Sequence, residues 1–123
     1  MKTLLALIIL FTFSGCVGSP YHKTITYNHI QRTIKENNAA LLELKAGMSQ
    51  SEVSNIIGES KRNEGYPWGT IWLYRTAMSD IYGTTDSDFT PVMFDQDGIL
   101  QGWGRNYFEQ YVNKYELTIK QEK

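Results

Sequence analysis

The chain has 123 residues, a formal net charge of −1 and 41% apolar residues, a balance that fits one modest globular domain. Near-neutral charge with no basic run excludes the concentrated positive face that nucleic-acid binding requires. The single cysteine excludes an internal disulfide and leaves its own presence to be explained.

Its position supplies an explanation. Lys2 precedes the apolar run Leu4–Phe11, and Phe13-Ser14-Gly15-Cys16 follows. This is the order of a secretion signal: a positive start, an apolar core, then small residues beside the cut. The run is shorter than the ~20 apolar residues of a permanent membrane helix. Phe13-Ser14-Gly15-Cys16 resembles the bacterial lipobox, with Phe13 in place of the commoner Leu. The resemblance implies diacylglyceryl transfer to the Cys16 sulfur, cleavage before Cys16, and acylation of the new amine with a chain such as palmitate. Residues 1–15 are then a lipoprotein signal peptide, and 16–26 the lipidated cysteine and its tether. An ordinary signal peptide with an unpaired cysteine is the alternative. Val17 stands where an Asp resembles an inner-membrane retention signal. In a Gram-negative host the anchor is therefore expected at the outer membrane, facing the periplasm. In any other host it is expected on the extracytoplasmic side of the cell membrane.

Residues 27–123 read as a single α+β domain. Residues 21–26 are polar and β-branched, and read as extended or disordered. From Tyr27 to Leu44 the apolar positions Ile30, Ile34, Leu41 and Leu44 keep one helical face, with Asn28 as a candidate cap. Ser49-Gln50-Ser51-Glu52 is a capping box. It opens a short helix with Val53, Ile56 and Ile57 on its apolar face and Gly58 at its end. Residues 59–67, with Gly65 and Pro67, read as a loop. Thr70–Thr76 is rich in β-branched and aromatic residues and predicts a strand, with Trp72 and Tyr74 on one face, covering the helices. The polar loop 79–88 leads to a second strand, Phe89–Asp95, where Pro91 suggests an edge or a strand start. Gln96-Asp97-Gly98 predicts a hairpin turn into a third strand, Ile99–Trp103. Tyr107, Tyr111 and Tyr115, with Phe108 and Val112 beside them, predict a C-terminal helix; Leu117–Ile119 reads as extended or frayed. Two N-terminal helices packed on one face of a three-stranded antiparallel meander, followed by a third helix, is the expected architecture.

Leu44-Lys45-Ala46-Gly47-Met48-Ser49-Gln50-Ser51-Glu52-Val53, with Ile56-Ile57-Gly58, resembles the SmpA/OmlA (BamE-like) family of small bacterial lipoproteins. Trp72-Leu73-Tyr74 and Phe94-Asp95-Gln96-Asp97-Gly98-Ile99-Leu100 resemble that family's strand and hairpin motifs. The likeness covers residues 44–104. The family's usual Pro after the helix glycine is absent, since Gly58-Glu59-Ser60 stands there. Thr90–Phe94 and Gly102-Trp103-Gly104 are nearer to uncharacterised relatives than to BamE itself. The resemblance implies the fold of the core and a place in the cell envelope.

Catalytic chemistry is not indicated. His22 and His29 lack the convergent partners that a metal site needs. Asp95-Gln96-Asp97-Gly98 lacks the full spacing and closing acid of a calcium loop and reads as a turn. No serine sits in a nucleophile elbow, and no cofactor fingerprint occurs. A non-enzymatic protein without metal or cofactor is expected. The leading reading is a lipid-anchored protein-interaction module, accessory to outer-membrane assembly or envelope integrity. Its expected partners are the membrane, through lipid on Cys16, and an envelope protein. The alternative is a periplasmic inhibitor or ligand-binding lipoprotein presenting a sheet face. Candidate contact residues are Tyr66, Trp68 and the loop 79–88, because loops on a rigid scaffold carry recognition. Equally, the two aromatics cover the edge of the core.

Overall fold

The computed structural model describes residues 20–80 and 83–121, with side chains described for 26–80 and 83–116. The elements run α1 (Pro20–Leu41), α2 (Gln50–Ile57), β1 (Arg62–Tyr66), β2 (Gly69–Arg75), a 3-10 turn (Asp86–Asp88), β3 (Phe89–Asp95), β4 (Leu100–Trp103) and α3 (Arg105–Gln121). The expected α+β class holds. The strands form one four-stranded antiparallel sheet in the order β1-β2-β3-β4.

Local chemistry sets most of these boundaries. The Ser49 hydroxyl accepts the Glu52 amide at 3.2 Å and opens α2. Gly58 closes it, donating its amide to Ser54 O at 2.8 Å with φ +84°, a backbone region where a side chain is strained. Asp95 builds the β3–β4 hairpin. Its Oδ1 accepts the amides of Asp97 (2.9 Å) and Ile99 (3.0 Å), and its Oδ2 accepts from the Gln101 amide (3.1 Å). The reading of this segment as a turn is thereby confirmed.

Strand alternation divides the apolar residues between the two faces. Trp72, Tyr74, Val92 and Phe94 pack with Leu100 against Leu41, Leu44, Val53, Ile56 and Ile57. Trp72 and Tyr74 thus cover the N-terminal helices as expected. Asn37 and Asn38 fasten α1 to the end of β2, donating side-chain amides to Arg75 O (2.8 Å) and Thr76 O (2.9 Å). On the other face, Ile71, Leu73 and Met93 pack with Trp68 against Tyr107, Phe108, Tyr111, Val112 and Tyr115 of α3. The result is three layers, helix–sheet–helix.

Five expectations are corrected. A fourth strand, β1, forms within residues 59–67, where a loop was expected. Helices cover both faces of the sheet, because the tyrosine stripe of α3 buries itself against the side that α1 and α2 leave open. α1 begins at Pro20, so residues 20–26 are helical and Asn28 lies inside the helix. Proline suits a first helical position, where its missing N–H has no partner to lose. α3 runs through Leu117–Ile119 to Gln121. Pro91, moreover, sits in β3 between two neighbours. Its carbonyl accepts from the Gly104 amide just past β4 (2.9 Å). Since N and C=O of a strand residue face the same way, its missing N–H is aimed where β4 has already ended.

Tyr74 links the layers. Its hydroxyl donates to Gly58 O at 2.8 Å, and burial, with a contribution from the Glu59 charge, pushes its phenol up to about 12. A raised acid constant means the fold prefers the neutral phenol. This stabilisation is complete below the unfolded value near 10 and is lost as pH rises toward 12. Tyr74→Phe is expected to cost about 1 kcal/mol at neutral pH and to flatten part of the alkaline stability loss. Urea titrations at pH 7 and across the alkaline range check both effects.

Candidate functional site

The surface around β1 gathers the residues singled out for recognition. Tyr66 ends β1, and Trp68 lies in the two-residue turn before Gly69 opens β2. The two diverge in role. Trp68 is turned inward, 8% exposed, with its ring centroid 5.0 Å from that of Tyr111. It belongs to the core, which matches the alternative reading of that residue. Tyr66 lies flat against it, centroids 5.0 Å apart and planes 10° apart, and remains 39% exposed. Tyr66 therefore offers an outward ring backed by a buried indole. Its hydroxyl donates to Glu64 Oε2 at 2.8 Å. That hydrogen bond, more than burial or the Glu64 charge, raises the phenol above its ordinary value and keeps it neutral.

Tyr66 also borders a polar cleft of about 420 Å³ between the two hairpin turns, with Gln50, Thr70, Gln96 and Asp97 in its walls. The Gln96 side-chain amide donates to Pro67 O and ties the turns together.

At the opposite end of β1, Arg62 organises a second hollow. Its guanidinium donates to Asp86 Oδ1 (2.9 Å) and Glu64 Oε1 (3.1 Å) and sits 5.8 Å from the Phe89 ring centroid. The Asp86 hydrogen bond is the largest of the influences that raise the Arg62 acid constant. Arg105 donates to Asp86 O at 2.7 Å. Beneath these charges lies a groove of about 210 Å³ floored by Ile71, Leu73, Pro91 and Phe108. Exposed ion pairs such as these contribute little stability singly. Their effect is to fix the 3-10 turn against β1.

The expected contact loop 79–88 is built on a residue that the sequence reading passed over. Asp88 is fully buried. Its Oδ1 accepts the Ser79 hydroxyl (2.5 Å) and amide (2.9 Å), and its Oδ2 accepts the Thr85 amide (3.1 Å). Its carbonyl takes the amides of Thr76 and Ala77. The Ser79 hydroxyl first, then the Thr85 amide, hold the carboxyl below its usual range against the cost of burial. The available signal was the Thr85-x-x-Asp88 spacing, which matches a capping box. Residues 81–82 of this loop lie outside the described residues.

Phe13, Ser14, Gly15 and Cys16 also lie outside the described residues, as does the His22 side chain. His29 is on the exposed part of α1, 3.5 Å from Arg32. Among the described residues there is no group of three or more His, Cys, Asp or Glu placed to hold a metal ion, and no helix long and apolar enough to cross a membrane.

A family model described as "Protein of unknown function (DUF3192)" matches residues 14–110, from the lipobox-like segment into α3. No curated protein matches the chain, and no solved structure does.

Proposed function

The chain belongs to the DUF3192 family, and we propose that it is a lipid-anchored envelope protein acting as an interaction module, accessory to outer-membrane assembly or envelope integrity. The observation that carries this reading is the N-terminal order Lys2, Leu4–Phe11, Ser14-Gly15, Cys16, with the only cysteine of the chain at the position a lipobox requires. Two acyl chains or more on that residue hold a protein stably at a bilayer, where one chain holds it marginally. The likeness of residues 44–104 to SmpA/OmlA lipoproteins agrees with an envelope location. On this reading the exposed Tyr66 ring and the neighbouring turns face the periplasm and meet the partner, while Trp68 supports Tyr66 from below.

The test is intact mass and membrane fractionation of the native protein beside a Cys16→Ala variant. The expected native mass is that of residues 16–123 carrying acyl groups, in the membrane fraction. Cys16→Ala is expected in the soluble fraction or retained as the uncleaved precursor. A native chain that is soluble and unacylated overturns the anchor and, with it, the envelope assignment.

A further inference from the structure

Three of the four boundaries of the sheet are closed. α1 and α2 cover one face and α3 the other. At the β4 edge, the turn before α2 pairs with the strand: Gly47 donates to Leu100 O and Leu100 donates to Met48 O, each at 2.8 Å. The edge of β1 carries no such cover among the described residues, although open edges are ordinarily protected.

The hydrogen-bonding direction of that edge follows from the registers. In an antiparallel ladder a residue's N–H and C=O point to the same neighbour, and successive residues alternate. Pro91 accepts from Gly104 and Asp95 donates to Ile99, so odd-numbered residues of β3 face β4. Thr70, Trp72 and Tyr74 then face β3, Ile71 and Leu73 face β1, and Arg62, Glu64 and Tyr66 face β2. The backbone groups of Asn63 and Gly65 therefore point out of the sheet, and both residues are exposed.

We propose that this edge is a homodimer interface in which two copies of β1 pair antiparallel about a two-fold axis at Asn63, joining two sheets into one. Charge chooses both the occupant and the register. An axis at Asn63 sets Arg62 opposite the partner's Glu64, and Glu64 opposite the partner's Arg62. These are non-hydrogen-bonded positions, where facing Cα atoms approach to about 4.5 Å and side chains are closest. Asn63 faces the partner's Asn63 and exchanges both backbone bonds with it, and Gly65 faces the partner's Lys61. The neighbouring registers are worse. An axis at Glu64 opposes two carboxylates directly. An axis at Gly65 brings Asn63 against the partner's Pro67, which has no N–H to give. The Arg62–Glu64 pair already present within one copy (3.1 Å) becomes half of a four-charge cluster. A surface that is complementary to itself about one axis closes as a dimer and does not propagate.

The test is sedimentation of the purified full chain over about a thousandfold range of concentration, at low and high salt. The expected result is a monomer–dimer equilibrium that weakens with salt. Arg62→Glu or Glu64→Arg alone is expected to raise the dimer Kd at least about tenfold, by placing like charges opposite each other. The double exchange R62E/E64R restores the pairing and is expected to recover most of the affinity. Asn63→Pro removes an N–H that points away from β2, so Tm is expected to stay near the native value while the dimer is lost. A native chain that is monomeric throughout, or a dimer indifferent to Asn63→Pro and to the charge exchanges, overturns the interface.

Discussion

Gly69→Ala is expected to be the most damaging single-methyl substitution in this protein. Gly69 sits where the β1–β2 turn enters β2, paired with Tyr66 on one side and Asp95 on the other. Its φ is +154°, and a Cβ built there falls 1.9 Å from Phe94 O and 2.9 Å from Phe94 C. The obstacle is backbone in the central strand, so no rotamer change relieves it. The substituted chain has to push β2 from β3 or abandon the turn. Either movement reaches Phe94, which is fully buried, and Trp68, which lies in the turn itself. Backbone strain and overpacking together give a cost of about 3–5 kcal/mol, roughly 15 °C or more in Tm for a domain of this size. Against a total stability of about 5–15 kcal/mol, that is enough to leave much of the population unfolded near body temperature. Gly65→Ala is the control. Nothing lies within 4 Å of its added methyl, and its Tm is expected within about 2 °C of native. Thermal unfolding followed by circular dichroism separates the two. Equal Tm values would mean that the turn yields without disturbing the sheet.

The second large effect concerns Asp88. Truncation to Ala leaves the Ser79 hydroxyl and the amides of Ser79 and Thr85, all in part-buried hydrogen bonds, without their acceptor, and removes the contacts that close the loop on β2 and β3. The expected result is a Tm lower by about 10 °C and faster proteolysis within residues 76–88. Asp88→Asn keeps the shape but turns an NH2 toward donors, and is expected to recover only part of the loss. Asp86→Asn, at a side chain 81% exposed, is expected to change Tm little. The pH dependence follows from the same contacts. Asp88 is held below its ordinary value of 3.8, so the fold prefers the charged carboxylate. Its stabilisation is therefore fully present above the unfolded value and is lost as pH falls through the lower, folded one. Native protein is expected to lose stability below about pH 4, with a shallower loss in Asp88→Asn. Parallel acid limbs in the two proteins would place the proton uptake elsewhere.

Comparison of Asp88 with Ser49 shows where sequence reading succeeds. Both lie in Ser/Thr-x-x-acid patterns. Ser49 begins a segment with an apolar helical face, so its cap was legible. Asp88 ends a polar loop, and its burial depends on the residues that follow β2 and the Ser79 segment closing around it, which no local pattern encodes. Trp68 and Tyr66 make the same point. Two aromatics beside a turn are equivalent on paper. Only the arrival of α3, with Tyr111 beneath Trp68, makes one a core residue and the other a surface ring.

Local pattern along the chain was enough for the α+β class, the capped helix α2, the strands β2 and β3, the Asp95–Gly98 hairpin, and the tyrosine face of α3. These rest on interactions between residues a few positions apart, such as caps, turns and apolar periodicity. Three further features come from long-range packing. β1 exists because β2 offers a free edge to a polar segment with no apolar alternation of its own. α3 crosses to the second face because the first is already filled. The backbone edge left uncovered among the described residues lies beside Arg62, Asn63 and Glu64. Each is set by which surfaces remain open once the central strands have paired. That is a contest between distant segments, and short-range sequence pattern carries no record of it.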